Sequence, residues 1–182
     1  VNVLLGVCGG IAAYKSAELV RRLQDAGHEV QVVMTRAARE FVTPLTFETL
    51  SGRPVGVSLF DVAPDAPVEH IRLARWSDAL VVAPATAHTI GRMALGLADD
   101  LLSTVVLATE RDVPLVLAPA MNTVMWTNPL VQQNLARLRE TRAVVVVEPR
   151  EATLACRETG AGAMADPERI VRALDEGPGR AS

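Results

Sequence analysis

Short apolar runs alternate with segments of helical spacing along the chain, and this alternation restricts the fold more than any single residue does. The runs are Val3 to Val7, Glu29 to Met34, a short stretch near Val55–Leu59, Leu80 to Ala83, Val113 to Leu117 and Ala143 to Val147. Between them lie helix patterns. Ile11 to Ala26 carries Ala12, Leu19 and Leu23 near one face and Arg21, Arg22 and Gln24 near the other, and Gly27 stops it. Thr43 to Ser51 reads as a helix begun by Pro44 and ended by Gly52. Ile90 to Ala108 is apolar almost all round, which predicts burial by the sheet and by another subunit. Pro129 to Arg139 follows, and Asp166 with Pro167 starts a last helix through Ala173. Strands alternating with helices predict an α/β fold with a mostly parallel six-stranded sheet.

A chain of 182 residues fits one domain and can bury a real core. We expect that domain to span residues 1–175, with 148–165 as a loop suited to a lid and 176–182 as a tail. The formal net charge of −3 gives no case for a nucleic-acid surface. Lys15 is the only lysine. No apolar run reaches the roughly 18 residues of a membrane span. The start Val1-Asn2-Val3-Leu4-Leu5-Gly6 reads as a first strand without a basic n-region or cleavage site, so no signal peptide and a cytoplasmic protein are expected. Cys8 and Cys156 lie far apart and read as free thiols, and no metal is expected.

In an open α/β sheet, ligands bind just past the carboxyl ends of strands. Four such exits carry chemistry. Cys8-Gly9-Gly10 leads into a helix, which aims backbone N–H groups at a phosphate, although the full G-x-G-x-x-G fingerprint is absent. Thr35 follows the second strand and can bind a phosphate or cap the next helix. Pro84-Ala85-Thr86-Ala87-His88-Thr89 is rich in small residues and hydroxyls, and small side chains let a planar ligand approach. Ala118-Pro119-Ala120-Met121-Asn122 continues into Met125-Trp126. The Asn122 carboxamide can donate and accept, and so grip a substrate carboxylate; the competing reading is a turn-forming Asn under two core residues.

Together these pieces resemble the flavin-dependent cysteine decarboxylases, from about Val3 to Ala173. The resemblance is carried by Gly9-Gly10-Ile11-Ala12-Ala13-Tyr14-Lys15, Phe41-Val42-Thr43-Pro44, His70-Ile71 with Leu73-Ala74-Arg75-Trp76, Pro84-Ala85-Thr86-Ala87, Pro119-Ala120-Met121-Asn122 with Met125-Trp126, and Leu154-Ala155-Cys156. It implies a single-domain, flavodoxin- or Rossmann-like three-layer fold that binds FMN. By position, Gly9, Gly10, Ile11 and Thr35 lie by the phosphate. Ala85, Thr86 and Thr89 lie near the ring and ribityl chain, with Phe41 and Met121 also at the cofactor. It further implies homotrimers, often assembled into homododecamers.

The chemistry explains these residue types. A carboxylate beside a saturated carbon loses CO2 poorly, because the carbanion left behind has no sink. The resemblance implies that a base takes the thiol proton while hydride passes from Cβ to FMN, giving a thioaldehyde. Loss of CO2 then gives an enethiolate. His70 resembles the family's base, and an unperturbed imidazole is poised near neutral pH. Asn122 matches the residue that holds the substrate carboxylate, beside Met125. Cys156 matches the lid cysteine that supports return of the electrons to the enethiolate.

Four departures stand out. Cys8 replaces the usual Thr or Ser, and His88 a common Asn. Arg157 replaces the glycine after the lid cysteine, and Ala163 an arginine found in many bacterial members. Arg157 is a candidate contact to a phosphate or a peptide; a solvated surface residue is the alternative. The expected substrate ends in a cysteine moiety. Phosphopantothenoylcysteine, of coenzyme A biosynthesis, is favoured by Cys156. A precursor peptide ending in Cys is favoured by Arg157 and by the chain's length. A flavin prenyltransferase and a flavin-binding regulatory subunit are weaker alternatives.

Overall fold

The computed structural model describes residues 1–60, 68–153 and 159–177. Strands β1 (Asn2–Val7), β2 (Glu29–Met34), β3 (Ala79–Ala85), β4 (Leu115–Pro119) and β5 (Val144–Val146) form a parallel sheet in the order β2-β1-β3-β4-β5. The order reverses between β1 and β3, so the crevice at their carboxyl ends is a topological switch point. The alternation of runs thus gives the predicted α/β fold, but with five strands in the main sheet and not six. The stretch near Val55–Leu59 contributes only a single parallel bridge, Gly56 to Val33. Gly56 bonds to Val32 and Met34 at the edge of β2, and a Cβ there would stand 2.8 Å from Leu101 Cδ2, so the close approach of Leu101 requires a glycine at this bridge.

Helices cover both faces. On one lie α1 (Lys15–Asp25), α2 (Pro44–Ser51) and α8 (Pro167–Glu176). On the other lie α3 (Glu69–Trp76), α4 (Ala87–Leu95), α5 (Leu101–Ala108) and α7 (Pro129–Thr141). Successive strand residues alternate between the two cores. Val3, Leu5 and Val7 pack with Leu19, Leu23 and Ile170, whereas Leu4, Leu80 and Val82 pack with Ile90, Leu102 and Leu135. A strand buried on both sides must be apolar throughout, which is why these runs are continuous.

Two local expectations are corrected. The apolar stretch from Ile90 to Ala108 is two helices, not one. Gly96 takes a left-handed φ of 68°, and the N–H of Leu97 returns to the Arg92 carbonyl at 2.9 Å, closing α4. Asp100 then caps α5: its Oδ1 accepts from Ser103 N at 2.7 Å within a capping box. The Asp99-Asp100 pair is therefore a helix start rather than a charge inside a helix. Second, residues 148–165 are not simply a loop. They include β6 (Arg150–Thr153) and β7 (Thr159–Ala163), an antiparallel pair. The last helix starts as expected, with Asp166 at its N-cap and Pro167 at its first position; the Asp166 side chain accepts no capping bond, and its Oδ1 lies 3.2 Å from Arg150 Nε.

Candidate functional site

Four strand exits meet at the carboxyl edge of the sheet. After β1 the chain turns through Gly9 and Gly10 into a 3-10 turn, Ile11–Tyr14, that runs directly into α1. Gly10 is extended (φ −170°), and a Cβ there would meet nothing within 4 Å. A Cβ on Gly9 would stand 2.3 Å from Ala37 Cβ, so this glycine allows the β1 and β2 exits to touch. The N–H groups of Gly9 and Gly10 find no acceptor among the described residues. Ser16, the second residue of α1, donates its buried hydroxyl to the Ala83 carbonyl at 2.7 Å and ties this turn to β3.

After β2, Thr35 Oγ1 accepts from Ala38 N at 3.2 Å, just before a short 3-10 turn, Ala37–Glu40. After β3, Thr86 caps α4, and its hydroxyl donates to Thr89 Oγ1 at 3.1 Å. After β4, Asn122 caps the short α6 (Thr123–Trp126), and its Oδ1 accepts from Met125 N at 2.8 Å. Both readings of Asn122 meet here. The side chain is a cap, and because its oxygen is engaged, its amide N–H groups remain for a ligand. The β6–β7 hairpin lies against this segment: Met121 N donates to the Gly162 carbonyl at 3.0 Å, and a Cβ on Gly160 would collide with Thr123 Oγ1.

Two cavities flank the glycine turn. One, of about 580 Å³, is lined by Gly9, Thr35, Thr86, Thr89, His88 and Arg92 among others. The other, of about 570 Å³, is lined by Gly10, Ile11, Met121, Asn122, Lys15 and Arg150 among others. Both volumes suit small-molecule sites. In the first cavity Arg92 bridges Asp99 at 2.5 Å and Asp100 at 2.7 Å, which neutralises it and fixes the wall. Cys8 is buried behind this wall, beside Thr86 and Thr89. Burial pushes its thiol up to about 11, against the smaller opposing effect of the neighbouring Thr89 and Thr86 groups.

The structure thus groups Gly9, Thr35, Thr86 and Thr89 in one cavity and Gly10, Ile11, Met121 and Asn122 in its neighbour. Ala85 is fully buried at the end of β3. Three candidates stand apart within the single chain: His70 on α3, Phe41 (50% exposed) and Met125 (45% exposed) line neither cavity. Cys156 and Arg157 lie outside the described residues. Lys15 and Arg150 are lining residues that the sequence reading passed over. Lys15 stood in the quoted glycine-turn motif and is the chain's only lysine, so a signal existed. Arg150 had none, because its strand was read as loop.

Residues 1–177 match the model of the family described as Flavoprotein. The chain is 49% identical over 175 residues to the coenzyme A biosynthesis bifunctional protein CoaBC of Vibrio vulnificus, covering 96% of this chain but 43% of that protein. The chain therefore spans less than half the length of that bifunctional relative. It is 40% identical over 175 residues to a probable phosphopantothenoylcysteine decarboxylase of Streptococcus mutans, covering 96% of this chain and 97% of that protein. Among solved structures it resembles a mutant PPC decarboxylase complexed with pantothenoylaminoethenethiol (TM-score 0.85, 35% identity, 96% of each chain). It also resembles the FMN-dependent cysteine decarboxylase SpaF (TM-score 0.80, 34% identity, 97% of this chain and 96% of that one). With its sequence matched from end to end of the sheet and its strand exits built as two adjoining cavities, the chain belongs to the flavoprotein family.

Proposed function

We propose that this chain is an FMN-dependent decarboxylase that acts on the cysteine moiety of phosphopantothenoylcysteine. The observation that carries the reading is the pair of cavities sharing one glycine turn, with hydroxyls and free backbone N–H groups on one side and the capped Asn122 amide on the other. The donor set fits FMN. Gly10 offers open backbone, the N–H groups of Gly9 and Gly10 have no partner among the described residues, and Thr35, Thr86 and Thr89 supply hydroxyls. FMN, when bound, supplies the two-electron acceptor that a saturated cysteine carboxylate lacks.

The chain's own residues do the rest. Asn122 donates to the substrate carboxylate and fixes it without a formal charge, so that departure of neutral CO2 is not opposed by an ion pair. His70 takes the thiol proton. It lines neither cavity of the single chain, and we assign to a homotrimer or homododecamer the contact that brings it to the substrate. Exposed apolar side chains such as Ile11, Tyr14, Leu45 and Leu130 support such an assembly. Cys156 supports return of the electron pair to the enethiolate. A cytoplasmic location goes with this reading. The likeness to SpaF favours a second reading, in which the substrate is a peptide ending in cysteine.

The test is mass spectrometry after incubation with phosphopantothenoylcysteine and, separately, with a peptide ending in Cys. Loss of CO2 alone from the first supports the full cycle. Loss of CO2 with two hydrogens identifies an enethiol product. Turnover of the peptide alone transfers the assignment to the second reading, and a flavin-loaded protein that changes neither refutes both.

A further inference from the structure

Both cavities share the glycine turn, yet few bonds hold that turn to the sheet. The β1–β3 ladder runs from Val3 opposite Ala79 to Gly6 opposite Val82 and goes no further. Beyond it, Gly9 lines one cavity, and Gly10, Tyr14 and Lys15 line the other. The N–H groups of Gly9 and Gly10 have no partner among the described residues, and the Ala13 N–H returns to Gly10 within the turn itself. Among the described residues, one side-chain hydrogen bond joins residues 9–16 to β3: Ser16 Oγ donates to the Ala83 carbonyl at 2.7 Å.

Both residues of that bond are fully buried. Ala83 lies where the β3–β4 register shifts, between Val82 and Ala85. Three residues further on, Thr86 caps α4 and, with Thr89 and Gly9, lines the first cavity. Ser16 itself lines neither cavity. Behind it, Leu19, Val20 and Leu23 anchor α1 in the core. The turn is thus suspended between the end of β1 and one buried hydroxyl.

We infer that Ser16 is a positioning residue for the cofactor. Through Ala83 it holds the glycine turn in place relative to the Thr86 and Thr89 hydroxyls, and it sets the flavin affinity of the first cavity without touching the flavin. The inference rests on the placement of FMN in that cavity. A bond that served the fold alone would stabilise the chain equally with and without flavin and leave the affinity unchanged. A bond that holds one wall against the other preorganises the cavity and lowers Kd.

The experiment titrates the folded, flavin-free protein with FMN, read by flavin fluorescence, with thermal melts of each apoprotein alongside. The variants are Ser16→Ala, Ser16→Cys, Ser77→Ala and Thr89→Val. Ser77 is the matched comparison: its buried hydroxyl also donates to a backbone carbonyl at 2.7 Å, that of Leu73, but just before β3 begins. Ser16→Ala should weaken FMN binding about 3- to 10-fold, the equivalent of one net hydrogen bond. Ser16→Cys keeps the volume with a weaker donor and should weaken binding too; it carries the same comparison if Ser16→Ala does not fold. Ser77→Ala should lower Tm with FMN affinity unchanged. Unchanged affinity in Ser16→Ala, an equal loss in Ser77→Ala, or full affinity in Ser16→Cys overturns the inference, the last by showing that volume matters and the bond does not. Thr89→Val tests the placement separately: an affinity that this substitution leaves unmoved removes the flavin from the first cavity, and the inference with it.

Discussion

Gly9 and Gly10 are adjacent, yet an alanine should have opposite consequences at the two positions. At Gly9 the new Cβ would stand 2.3 Å from Ala37 Cβ, with the Ala37 carbonyl carbon at 2.7 Å and its oxygen at 2.9 Å. Two of those three atoms are backbone and cannot rotate aside, so the β1 exit and the turn after β2 must separate by an ångström or more. Overpacking of this kind costs about 1–3 kcal/mol. For a chain of this size each kcal/mol lowers Tm by about 2–4 °C, so Gly9→Ala should lose roughly 2–12 °C. The displaced segment carries Thr35, so flavin retention should fall with it. At Gly10 the Cβ meets nothing, and an extended backbone accepts alanine. Apoprotein stability should move by less than about 0.5 kcal/mol. The methyl then projects into open space beside the cavity, and flavin affinity should drop with little change in Tm. Calorimetry of the apoproteins and flavin titration separate the two effects. Equal destabilisation by both substitutions would refute the steric reasoning.

Cys8 gives a pH prediction. Its folded value of about 11 lies above the ordinary 9.0, so the protonated thiol is favoured by folding. That contribution is complete below pH 9 and is lost as pH rises from 9 to 11, amounting to about 3 kcal/mol in all. Cys8→Ser should flatten this alkaline decline in urea titrations; an unchanged slope would mean that other groups dominate it. Asp100→Ala should cost about 1–2 kcal/mol through loss of the α5 cap, whereas Asp100→Asn keeps an acceptor and should cost less than about 1 kcal/mol; equal losses would assign the effect to the Arg92 pair. His70→Asn should slow decarboxylation by about 100- to 10,000-fold with flavin still bound, and near-normal turnover would remove it as the base.

The sheet was legible because its strands are buried on both faces and announce themselves as unbroken apolar runs. The candidate site was legible because its residues cluster just past strand ends: Thr35 follows its run directly, and Gly9, Thr86 and Asn122 come within a few residues of theirs. What escaped the sequence reading depends on tertiary partners. Gly96 inside an apolar stretch looks like a tolerated packing glycine until Asp100 is seen capping the next helix. Residues 150–153 and 159–163 carry too few β-branched residues to read as strands, and their pairing is fixed from outside by Thr123 against Gly160 and by Met121 against Gly162. The separation of His70 from both cavities has the same origin, since helical periodicity says which face is buried but not which neighbour it meets.

The pairing of β1 with β3 joins residues 3–6 to residues 79–82, and Thr86 and Thr89 follow directly. A turn at residues 9–10 meets Thr35 and Ala37 once β2 has paired, but the wall of Thr86 and Thr89 is added only when a loop of more than seventy residues has closed. Contacts of such long range form late and slowly. The first cavity is in effect a by-product of closing the sheet, not a pocket carved into one element. Uptake of a fluorescent ligand by this cavity during refolding should then lag behind helix formation and keep time with the β1–β3 pairing, making cofactor capture a clock for the slowest step of folding.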